Sequence, residues 1–159
     1  MNALELLRND HRRILNLFQE VESQIDTATN SETFDQLGHA IHFHERMLDE
    51  VLYPELEDHK NIHAFISMQA EIDRQIDSLL ESIRQSNPPG QDRSRELNEL
   101  KTRWLEHMER AEARLFPEAE KLLGAGKLLE LSYEMDEIRT HQSDQDSAIY
   151  PARRLGPRE

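Results

Sequence analysis

The sequence predicts an all-α protein: an up-down-up-down antiparallel four-helix bundle with a short C-terminal fifth helix. Three observations predict it. Apolar residues recur at three- and four-residue steps along most of the 159 residues, the helical period, and no segment alternates as a strand would. Glycine is scarce, with five residues, while charged residues make up 32% of the chain. Rods with one buried stripe and a solvated remainder have that composition. Lastly, a ten-residue ruler occurs twice: His44 stands ten residues before Pro54 in Leu52-Tyr53-Pro54-Glu55, and His107 ten before Pro117 in Leu115-Phe116-Pro117-Glu118. Each copy has an acid five residues after its histidine, Asp49 and Glu112. An internal repeat of this kind reports two related halves.

The first helix is expected from about Asn2, a plausible N-cap, to about Asp26, with the stripe Leu4, Leu7, His11, Ile14, Phe18, Val21 and Ile25. A polar break follows over 27–31, where Thr29 and Glu32 have capping-box spacing. The second helix, about Glu32 to Asp58, carries Phe34, Leu37, Ile41, His44, Leu48 and Val51. Pro54 should kink it or end its regular bonding, because proline lacks an N–H and crowds the preceding turn. The third begins near Asn61 with Ile62, Phe65, Ile66, Gln69, Ile72, Ile76, Leu79 and Ile83. Asn87-Pro88-Pro89-Gly90 is the clearest loop. The fourth helix, with Asp92 as its expected cap, carries Leu97, Leu100, Trp104, His107, Ala111 and Leu115, with Pro117 repeating the interruption. Gly124-Ala125-Gly126 should end it, and Lys127 to about His141 reads as the fifth helix. The expected organisation is a bundle over 1–126, a helix over 127–142 packed on or beside it, and an irregular tail over 143–159.

A net charge of −13 disfavours nucleic acid and anionic membranes as partners, and an acidic helical surface leaves self-association into a homo-oligomer open. The absence of cysteine excludes disulfides, iron–sulfur clusters and thiol catalysis. With no apolar run of signal or membrane-spanning length, a cytoplasmic location is the expectation.

His11, His44 and His107 lie on the apolar stripes of three different long helices. Buried imidazoles need partners, and bundles build metal sites from side chains on facing helices. The halves also match outside the ruler. From His11 the apolar steps are +3, +7, +10 and +14; the same steps from Gln69 reach Ile72, Ile76, Leu79 and Ile83, so Gln69 fills the slot of His11. Trp104, three residues before His107, reads as core packing one turn away.

The ordered set Asp10-His11-Arg12-Arg13-Ile14, His44 with Leu-Tyr-Pro and His107 with Leu-Phe-Pro resembles the hemerythrin-like (HHE cation-binding) domains over about residues 3–120. The resemblance implies a non-haem di-iron centre in the bundle core, binding or sensing O2, NO or iron, with the ligands His11, His44 and His107. It also implies carboxylate ligands, for which Glu112 and Asp49 are the candidates. Three slots depart from the pattern: Leu48 and Ala111 stand where many members have glutamate, and Gln69 where the third helix has histidine. On that helix Gln69, His59 and His63 are the alternatives; the two histidines read better as exposed polar residues. Glu45 and Glu109 read as surface residues or as supports of the ligands. The departures sustain a second reading, a metal-free helical interaction module with a degenerate site. No nucleophile–base pair, phosphate loop or dinucleotide fingerprint specifies an enzyme, and peroxide removal at a di-iron centre is the one turnover chemistry left in view.

Overall fold

The computed structural model describes residues 1–24, 30–85 and 91–145. Helix α1 (Ala3–Ser23) opens with a capping box: Asn2 Oδ1 accepts from the Glu5 N–H, and Glu5 Oε1 accepts from the Asn2 N–H at 2.9 Å. The chain continues through α2 (Asn30–Met47), a π-helical turn (Leu48–Leu52), the single-turn α3 (Tyr53–Leu56), α4 (Lys60–Gln85), α5 (Gln91–Arg110), a second π-helical turn (Ala111–Leu115) and α6 (Phe116–Gln145). Asp92 therefore stands inside the first turn of α5 rather than ahead of it. The Thr29–Glu32 cap, the Asn87–Gly90 loop, Ile25 and the tail from 146 lie outside the described residues.

The bundle direction can be read from its two apolar clusters. One gathers Leu4 and Leu7 from the start of α1, Leu48 and Leu52 after α2, Ile62 and Phe65 from the start of α4, and Leu115 and Phe116 after α5. The other gathers the opposite ends: Ile14 and Phe18, Phe34 and Leu37, Ile76 and Ile83, Leu97 and Trp104. Successive long helices thus run antiparallel, as expected of an up-down-up-down bundle.

Both prolines act through the backbone just before them. Proline cannot donate, and its ring crowds the carbonyl four residues back. Ahead of each, the bonding widens by one residue: the Tyr53 N–H bonds Leu48 O, and the Phe116 N–H bonds Ala111 O. The apolar stripe slips by one position across each wide turn, so Tyr53 and Leu56, then Phe116 and Ala119, become the buried residues.

Gly124 interrupts α6 with φ 80° and ψ 167°, a conformation essentially confined to glycine. The helix beyond it folds back and buries Leu128, Leu131 and Met135 in the first apolar cluster. It is helical through Gln145, past the expected end near His141. On α4, Leu80 rather than Leu79 is buried, so the register match between halves slips by one there. No helix among the described residues is long and apolar enough to cross a membrane.

Candidate metal centre

Between the two apolar clusters lies one polar layer, with a residue from each long helix: His11, His44, Gln69 and His107, all fully buried. Each sits on its helix between residues of the two clusters; His11, for example, lies between Leu7 and Ile14. The layer is therefore set by the same stripes that build the core.

The three imidazoles converge, with one ring nitrogen from each lying within 4.8 Å of the others. His107 Nε2 is 3.3 Å from His44 Nε2. Every Nδ1 faces an acid. His11 Nδ1 is 2.6 Å from Glu112 Oε2, His107 Nδ1 is 2.7 Å from Asp73 Oδ1, and His44 Nδ1 is 3.3 Å from Asp10 Oδ2. An ionised carboxylate only accepts, so each ring donates from Nδ1, and a ring in its neutral form then has an unprotonated Nε2. Histidine ligands of metals have this arrangement: the outer nitrogen is held by an acid and the inner lone pair is left for the ion.

Aromatic walls surround the rings. Trp104 stacks on His107 at 4.8 Å between centroids and meets His11 and His44 edge-on. It is core packing one turn from His107, as the spacing suggests, and it also walls the layer. Phe116 stacks on His11 at 5.7 Å and a 7° interplanar angle. Burial, followed by repulsion from the neighbouring histidines, pushes the His11 pKa well below its ordinary value. Burial also lowers that of His44, against the opposing pull of Asp10.

Of the residues singled out in the sequence, His11, His44, His107 and Glu112 come together. Glu112 is on the outer nitrogen of His11, with its side chain 36% exposed. Asp49, half-buried at the start of the first π turn, stands outside the converging group. His59 is half-buried and His63 exposed, and neither belongs to that group. Glu45 is buried, contrary to a surface reading, whereas Glu109 is exposed. Leu48 and Ala111 are fully buried in the core.

Gln69 acts as a clamp: its Nε2 donates to the His107 carbonyl at 2.9 Å, and its Oε1 accepts from Arg110 Nε at 3.4 Å. Sequence reasoning gave no role to two acids, Asp10 and Asp73. Asp10 precedes His11 and reaches across to α2, which chain adjacency conceals. Asp73 is fully buried, four residues after Gln69 on the same helix face. That i, i+4 spacing was the available signal.

The fold and the site define a helical bundle with a layer of three converging, buried histidines at its middle. A family model described as the hemerythrin HHE cation binding domain matches residues 2–119, and the chain belongs to that family. A crystal structure of a hemerythrin HHE cation binding domain-containing protein from Mycobacterium kansasii is similar, with a TM-score of 0.78, 22% identity and 96% of each chain covered. No curated protein matches the chain significantly.

Proposed function

We propose that this protein holds one transition-metal ion on the inner nitrogens of His11, His44 and His107 and uses it to bind or sense O2 or NO. The contact between His44 Nε2 and His107 Nε2 carries the reading. With both outer nitrogens donating to acids, two neutral rings would set their lone pairs facing each other at 3.3 Å, an arrangement that a shared metal ion makes favourable. Two nitrogens bound tetrahedrally to one ion at about 2.1 Å stand about 3.4 Å apart. A shared proton is the alternative, but burial holds His44 toward its neutral form. His11 Nε2 is buried without a hydrogen-bond partner, as is Asp73 Oδ2. An unpartnered ring nitrogen and a buried carboxylate oxygen both favour positive charge nearby.

Imidazole suits iron, zinc and copper, and iron is the metal implied by the resemblance to hemerythrins. Leu48 and Ala111 occupy two ligand slots with hydrocarbon, which favours one ion over two. Glu112, Asp10 and Asp73 hold the three rings by their outer nitrogens. The ion would supply an open coordination position, while Trp104 and Phe116 keep its surroundings dry. Chain expressed with iron should carry about one equivalent of metal, and His44→Ala with His107→Ala should abolish uptake. Content below about a tenth of an equivalent would leave the metal-free interaction module as the better reading.

A further inference from the structure

Asp10 has both carboxylate oxygens committed. Oδ2 faces His44 Nδ1 at 3.3 Å, and Oδ1 accepts from Arg139 Nη2, also at 3.3 Å. Arg139 lies on the helix beyond Gly124, twenty residues past the family-matched segment. Asp10, Arg13, His39, Ala40, Phe43, Met47 and Arg139 line a cleft of about 390 Å³ between α1, α2 and α6. Asp10, 8% exposed, is thus the group that separates a solvent-connected cleft from the fully buried His44.

We propose that Arg139 is a positioning residue of the histidine layer: it fixes Asp10, and Asp10 fixes the His44 ring, making the C-terminal helix a working part of the site. An aspartate held by one oxygen alone can turn about its last side-chain bond and take water from the cleft. With the second oxygen on a guanidinium, the first stays aimed at Nδ1, and Nε2 stays aimed inward. The charge of Arg139 also offsets part of the cost of burying Asp10. The His107–Asp73 pair differs: Asp73 is fully buried and faces His107 Nδ1 at 2.7 Å, away from the cleft.

This inference rests on the metal reading for its main test. Co(II), which gives an optical signal in nitrogen sites, is titrated into the full chain. Removing the acid behind a ligating histidine typically weakens binding 10–100-fold, so Arg139→Gln, one step further out, should weaken Co(II) binding by about 3–10-fold. Arg139→Lys should recover most of that. Arg13→Gln, in the same cleft, should stay within about twofold, a working threshold. In an Asp10→Ala background, Arg139→Gln should have no further effect, since the arginine acts only through the aspartate. An equal loss in both backgrounds, or no loss with Asp10 present, overturns the proposal. If the unaltered chain takes up no Co(II), the metal reading fails separately, and the ¹⁵N shifts of His44 in the metal-free protein decide. Arg139→Gln should move them from a single Nδ1–H tautomer toward a mixture; unchanged shifts overturn the link.

Discussion

His11 and His44 illustrate how burial sets the chemistry of a residue. Both have pKa values lowered from 6.5, with burial as the largest cause. In the unfolded chain they titrate near 6.5, so below that pH the unfolded state takes up protons that the folded state refuses. Above pH 6.5 neither state takes up the proton and this pH dependence is absent; stability falls as the pH drops through 6.5 toward the folded values. For metal-free protein, the urea-derived stability should fall by about 1–3 kcal/mol between pH 7.5 and 5.5. A flat profile would mean that the rings accept protons in place. Metal binding should weaken over the same interval, because protons compete for the same lone pairs.

At the scale of elements, the backbone departs from regularity at three informative places. Two π-helical turns follow His44 and His107, each just ahead of a proline and each shifting the buried stripe by one residue. The third is Gly124, whose φ of 80° lets the last helix reverse onto the bundle. A Cβ there would meet nothing within 4 Å, so the cost of a side chain is backbone strain rather than a clash. Gly124→Ala should therefore destabilise the protein by about 1–3 kcal/mol, measured by denaturant unfolding. Gly126, with open space and no positive φ, is the internal control: Gly126→Ala should be neutral or slightly stabilising in the same assay.

At the scale of the molecule, the two apolar clusters and the polar layer between them form one continuous interior, and the C-terminal helix completes it. Leu128, Leu131 and Met135 are each at most 1% exposed. Burial of such side chains contributes about 1.5–3 kcal/mol each, a large part of a typical total stability of about 5–15 kcal/mol. A chain ending at Leu123 should accordingly lose its cooperative thermal transition by circular dichroism, although it retains His11, His44, His107 and all three acids behind them. A cooperative melt close to that of the full chain would show that the bundle is self-sufficient and the last helix an appendage.

The sequence by itself determined the helical class, the antiparallel order, the three histidines and the places where proline interrupts. Each of these is written in a local period or a spacing along one helix, and such patterns survive without knowledge of neighbours. Only the tertiary structure decided which acid serves which ring. Asp10 is adjacent to His11 in sequence yet faces His44, Asp73 crosses from α4 to His107, and Glu112 crosses from the second π turn to His11. Asp49 has the same ruler spacing as Glu112, yet the acids on the three outer nitrogens are Glu112, Asp73 and Asp10. Partners across a bundle depend on the rotation of each helix about its axis. That rotation is set by packing and by the one-residue slip of the π turns, which spacing along a single helix does not encode.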